Sequence, residues 1–187
     1  MLGYIIEILS GELRNMFKYC LILFIVSLSF LNCDFKDSKV RADECYSSGV
    51  KRYWKKDYIG AINDFDKAIK LDNKDIVFRF WRGLANFELK EYEIAIKDFS
   101  TCIDLDPRDY QPYLYRGVSK FFLKDYVSAI NDFDKVLEMV KVGDVYAYYY
   151  RGLCKIEIGN KKEGRDDLEE ARKRGFDPAI DAFDHPP

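Results

Sequence analysis

Histidine is almost missing from this chain: its 187 residues hold one, His185, close to the carboxyl end. That scarcity removes Ser-His and Cys-His nucleophile pairs and histidine-based metal centres. The five cysteines, at positions 20, 33, 45, 102 and 154, show neither C-x-x-C spacing nor the density of a disulfide scaffold. No G-x-x-x-x-G-K-[ST] loop, G-x-S-x-G elbow or metal-binding cluster occurs, so the chain reads as non-catalytic, with no metal and no cofactor. Charge of one sign is lacking too: 30 basic residues face 32 acidic ones, leaving no field to draw nucleic acid or an anionic membrane. The basic clusters at Lys51-Arg52 with Lys55-Lys56 and at Arg172-Lys173-Arg174 lie among acids and read as solvated helix faces. What is present, 48% hydrophobic and 33% charged residues, describes one foldable domain with appendages.

The longest apolar run, Tyr19 to Leu31, is about 13 residues, short of the roughly 20 a spanning helix needs. Preceded by Met16 and Lys18 and followed by Cys33 and polar DFKDSKVRADE, it has the length of a secretory apolar region. Phe30-Leu31-Asn32-Cys33 resembles the lipobox of bacterial lipoproteins, departing from it at Asn32, where Gly, Ala or Ser is usual. The resemblance implies a signal peptide over 1–32 and a diacylglycerol on Cys33, placing the chain at the bacterial cell envelope, lipid-anchored on a membrane face. The alternative is an uncleaved amino-terminal anchor. Residues 1–15 carry Glu7 and Glu12, unwelcome before an apolar signal region, and read either as part of the leader from Met1 or as an upstream extension before a start at Met16. Residues 33–41 then form a polar tether, flexible or weakly helical.

Beyond the tether the chain repeats itself. The octet YIGAINDF (Tyr58–Phe65) returns as YEIAIKDF (Tyr92–Phe99) and YVSAINDF (Tyr126–Phe133), at intervals of 34. Gly49, Gly83 and Gly117 keep the same interval, and Gly152 follows after 35. Each unit holds two apolar-periodic runs around a short turn, the pattern of an αα-hairpin. The expected helices are Ala42–Lys55 and Tyr58–Leu71, Ile76–Leu89 and Tyr92–Ile103, Gln111–Leu123 and Tyr126–Met139, Val145–Ile158 and Lys161–Arg174. Units this small cannot bury their own apolar faces and must stack.

The array resembles the tetratricopeptide repeat. The family's helix-contact glycine matches Gly49, Gly83, Gly117 and Gly152; its alanine matches Ala61, Ala95 and Ala129; its plugging aromatic matches Phe65, Phe99 and Phe133; its terminal proline is matched only by Pro107. The resemblance implies an all-α, right-handed solenoid of about four helix-turn-helix units over 42–175 (42–75, 76–109, 110–144, 145–175), with a short tail at 176–187. Departures are informative. The leucine before the glycine is replaced by Arg82, Arg116 and Arg151 (Ser48 in the first unit), and Asp64, Asp98, Asp132 and Asp167 recur in the second helices, so each Arg is expected to pair with its own unit's Asp. The family's tyrosine slot holds Arg52, Asn86, Lys120 and Lys155, with the aromatic one residue later as Tyr53, Phe87 and Phe121. The fourth unit carries Gly164 for the alanine and Leu168 for the phenylalanine, and its polar second helix suits a terminal cap. The acid pairs Asp64/Asp66, Asp132/Asp134 and Asp166/Asp167 follow the repeat and read as structural.

In this family the first helices line a concave groove that takes a partner's peptide or helix. By resemblance that groove comprises Tyr46, Val50, Tyr53, Phe80, Leu84, Phe87, Leu114, Val118, Phe121, Tyr146, Tyr149 and Ile156. These residues lack the Lys, Arg and Asn of the subclass that grips acidic carboxyl-terminal tails. They imply instead an amphipathic helix or hydrophobic segment of another envelope protein, although the same aromatics also suit inter-repeat core. A non-catalytic accessory subunit of an envelope enzyme is the alternative, and an open solenoid end also permits a homo-oligomer.

Overall fold

A repeat of two apolar stripes and a turn should give stacked hairpins, and the computed structural model describes them over residues 37–140 and 143–176. The signal-like segment with Cys20 and Cys33, and the tail with His185, lie outside the described residues. Eight helices and no strand occur among the described residues. They are α1 (residues 37–54), α2 (Tyr58–Leu71), α3 (Ile76–Glu88), α4 (Tyr92–Leu105), α5 (Gln111–Phe122), α6 (Tyr126–Met139), α7 (Val145–Glu157) and α8 (Lys161–Lys173). Residues 37–41, expected in a tether, are already helical, because Ala42 and its neighbours pack on Ala68 and Phe78 and draw the helix back.

From α2 onward each helix packs against its neighbours in sequence. In addition α3 touches α5 and α5 touches α7, while no two even-numbered helices meet among the described residues. The odd helices therefore form a crowded inner layer and the even ones a splayed outer layer, which curves the stack into an all-α helical-repeat solenoid.

Within each hairpin one contact sets the spacing. A Cβ added at Gly49, Gly83 or Gly117 would sit 2.6, 2.7 and 2.7 Å from Phe65, Phe99 and Phe133. Those rings are fully buried beside Ala61, Ala95 and Ala129. The next unit then closes over each ring: Trp81 tilts over Phe65, Tyr115 stacks on Phe99 and Tyr150 stacks on Phe133. In the fourth hairpin, Gly152 and Gly164 instead bring two backbones together. A Cβ at Gly164 would lie 2.7 Å from the Gly152 carbonyl oxygen.

The first helix of each hairpin ends in the same two hydrogen bonds, such as Glu91 N–H to Asn86 O and Lys90 N–H to Phe87 O. This Schellman geometry needs a left-handed residue. Gly159 supplies it in the fourth unit, but Lys56, Lys90 and Lys124 supply it in the others, at φ 62, 63 and 62°. A non-glycine residue there costs about 1–2 kcal/mol, partly offset by the chain freedom glycine would add to the unfolded state, about 0.5–1 kcal/mol. Lys90→Gly is therefore expected to raise stability by up to about 1 kcal/mol. The triple Lys→Gly variant should raise the thermal midpoint by roughly 5 °C. A lowered midpoint would mean that these exposed lysines make a contact the strain argument omits.

Candidate functional site

The expected Arg–Asp pairs form, and they reach further than one unit. Arg82 grips Asp98 through Nε (2.9 Å) and Nη2 (2.5 Å), and its Nη1 reaches back to Asp66 on α2 at 2.6 Å. Arg116 holds Asp132 and the Ser100 hydroxyl, and Arg151 holds Asp167 and Asp134. Each guanidinium thus ties its own hairpin and clips it to the one before. Ser48 stands where no preceding unit exists among the described residues, and donates to Asp64 at 2.7 Å. Burial alone would raise the Asp64 carboxyl; the Ser48 hydroxyl, Lys67 and Arg52 outweigh it and hold the group below its ordinary range. Lys120 and Lys155 add to Asp132 and Asp167 at 2.7 Å each. The recurring acids are thereby structural.

The inner layer is different. Between α1, α3 and the start of α5 lies a cavity of about 390 Å³, lined by Tyr53, Trp54, Ile76, Val77, Phe80, Trp81, Leu84, Asp109, Gln111 and Tyr115. Its size and largely apolar wall suit a ligand site. Trp54 is 69% and Val77 46% exposed, unusual for such residues without a covering partner. Tyr53, Trp54 and Trp81 stand mutually edge-on, their centroids 5.3–6.3 Å apart. The Tyr53 hydroxyl donates to Glu88 Oε1 at 3.2 Å. Burial, and then Glu88, push the Tyr53 and Tyr115 phenols well above their ordinary range.

Of the twelve groove residues expected from sequence, Tyr53, Phe80 and Leu84 line this cavity. Leu84, Phe87, Leu114 and Val118 are corrected to core, Leu84 still contributing to the wall. The crowding of α3, α5 and α7 closes neighbouring units over them. Tyr46 is half-buried against Phe65, Phe78 and Trp81, and Val50 packs beside it. Phe121 packs on Tyr150, and Ile156 lies against the Gly152–Gly164 crossing. Tyr146 and Tyr149 are covered by Phe176, with centroids 5.6 and 4.2 Å away, so the start of the tail fills the last part of the groove. Trp54, Trp81 and Tyr115 escaped the sequence reading. The signal was available: the chain has only two tryptophans, and both stand here.

Cys102 and Cys154 are buried free thiols, which burial pushes up to about 12, and Cys45 is a half-buried one. No group of three metal-ligating side chains occurs among the described residues, and no described helix is long and apolar enough to cross a membrane.

Residues 78–109 and 146–174 each match the tetratricopeptide repeat family. No curated protein matches the chain. Among solved structures, it is similar to the first tetratricopeptide domain of Spaghetti (RPAP3) bound to the HSP90 peptide SRMEEVD. That match has 23% identity over 64% of this chain and 94% of that one, at a TM-score of 0.62. The tetratricopeptide domain of Arabidopsis OM64 is similar at 23% identity, over 64% and 98% of the two chains, with a TM-score of 0.61. MamA is similar at 20% identity, over 71% and 77%, with a TM-score of 0.67. At these identities the likeness is one of fold.

Proposed function

We propose that this tetratricopeptide-repeat chain is a non-catalytic protein–protein interaction module that holds a hydrophobic or amphipathic segment of a partner in its inner groove. The observation that carries the reading is the 390 Å³ cavity with Trp54 left 69% exposed at its wall. A large aromatic side chain beside an open apolar cleft is the usual anchor of a binding hot spot. The Spaghetti domain was solved with a peptide containing two Glu and one Asp. The cavity wall of the present chain offers such a peptide no base, so a different class of segment is expected.

We further propose that Cys33 is lipidated and that the module works at the bacterial envelope, assembling or scaffolding another envelope protein. The support is the basic–apolar–cysteine order of residues 16–33, which lie outside the described residues. Two experiments test the two parts. Full-length protein and its Trp54→Ala variant, displayed on parallel columns, should differ at least tenfold in retention of a detergent-solubilised partner. Equal retention would move the interface off the groove. Cells fed a labelled fatty acid should label the wild type and not Cys33→Ser; label on both, or on neither, removes the lipid anchor at Cys33.

A further inference from the structure

The inner face has a charge preference, and it concerns the partner directly. The cavity residues fix eight inward positions around each repeat glycine, at −8, −7, −6, −3, −2, +1, +4 and +5. Over the four units these positions hold one base, Arg41, in a chain with 30 of them, and six acids: Asp43, Asp75, Glu88, Asp109, Asp144 and Glu157. Several bases of the inner helices are engaged elsewhere, while Arg79 on α3 keeps a buried Nη1 without a hydrogen-bond partner among the described residues. Arg82, Arg116, Lys120, Arg151 and Lys155 pair with aspartates of the even helices, and Lys56, Lys90 and Lys124 stand in the hairpin turns.

Glu88 is the contrast to those paired acids. Among the described residues it forms no ion pair, and its polar contacts are phenols, the Tyr53 hydroxyl on the cavity wall and that of Tyr58. Its charge reaches Tyr58, Tyr92 and Tyr115 as well, raising each phenol after burial has done so. A half-buried carboxylate set among phenols and lacking a cation is stabilised by any cation brought to it. Tyr53, Trp54 and Trp81 line the same end of the cavity, and indole and phenol rings attract Lys and Arg through their quadrupoles. Asp109 adds a second acid to the rim.

We propose that the segment bound in this groove carries Lys or Arg beside its apolar anchors. The cation is seated at the Tyr53–Trp54–Trp81 end, within the field of Glu88. This rests on the groove reading above and narrows it from any hydrophobic segment to a basic amphipathic one.

Both tryptophans line the cavity, so their emission reports occupancy. The full chain in mild detergent would be titrated with two sixteen-residue helical peptides sharing a Phe/Leu face, one with a Lys polar face and one with a Glu face. The Lys peptide is expected to shift the emission and to bind at least tenfold more tightly than the Glu peptide at moderate salt. Glu88→Gln should reduce that preference severalfold without altering the far-ultraviolet spectrum. Trp54→Ala should weaken the Lys peptide more than the Glu peptide. Partition into micelles is common to wild type and variants and cancels between them. Equal or tighter binding of the Glu peptide, or an unchanged preference in Glu88→Gln, overturns the charge inference and leaves the groove reading standing. No emission change with either peptide overturns both.

Discussion

Replacing Asp132 by alanine is expected to lower the unfolding free energy by about 3–5 kcal/mol, seen as a fall in the urea midpoint. Its side chain, 4% exposed, accepts from Arg116 Nε at 3.0 Å and Nη2 at 2.6 Å and from Lys120 at 2.7 Å. Deleting the acid leaves two cations, each less than one-fifth exposed, without their counter-charge. Total stability of a domain is typically about 5–15 kcal/mol, so much of the molecule would unfold at ordinary temperature. The cost is that of stranding charge, which is larger than the net worth of the ion pair itself. Hence the triple variant Arg116→Met, Lys120→Met, Asp132→Leu is expected to regain most of the loss. A single-variant effect below about 1 kcal/mol would show that both bases swing out to water on their long stems.

Phe99→Ala is expected to cost a further distinct amount, about 3–5 kcal/mol, by opening a void at the centre of the array. Phe99 is fully buried, its ring lies under Gly83, and Tyr115 stacks on it at 5.7 Å with Phe80 tilted against it. The void is flanked by two units, so its collapse must displace both. Gly83→Ala tests the same contact from the other side. Its methyl would meet Phe99 at 2.7 Å in the wild type, an overpacking worth about 1–3 kcal/mol. In the Phe99→Ala background that methyl enters empty space, and the second substitution should cost little or nothing. The coupling between the two, read from a double-mutant cycle, should exceed 1 kcal/mol. Additive effects would mean that the helices separate instead of the ring giving way.

The hairpins were legible because Gly, Ala and Phe recur at intervals fixed by one contact, and periodicity exposes any contact made inside a unit. Arg116 and Asp132 were legible for the same reason. The backward reach of Arg82 to Asp66 was not, since it depends on how one unit is set against the next, and Ser100 breaks the acid pattern in the middle. The groove was half legible. Register places Leu114 and Tyr53 on the same inner layer, yet how far neighbouring helices close over each depends on stack curvature, which spacing does not encode. Trp54 shows the converse: its slot holds Glu88, Phe122 and Glu157 in the other units, so no periodic signal marks it.

The glycine-to-glycine crossing of α7 and α8 has a consequence for how such a chain finds its frame. Helices α2, α4 and α6 carry near-identical octets, and in a collapsing chain one could dock in another's berth, skipping a unit and exchanging segments between molecules. The berth on α7 admits none of them. Each brings Ala to the slot where a Cβ would lie 2.7 Å from the Gly152 carbonyl oxygen, a contact with backbone that no rotamer relieves. Of the four second helices only α8, with Gly164, fits that crossing without shifting backbone. The fourth hairpin is thereby distinguished from the three that carry near-identical octets, and a slipped pairing at α7 would meet backbone.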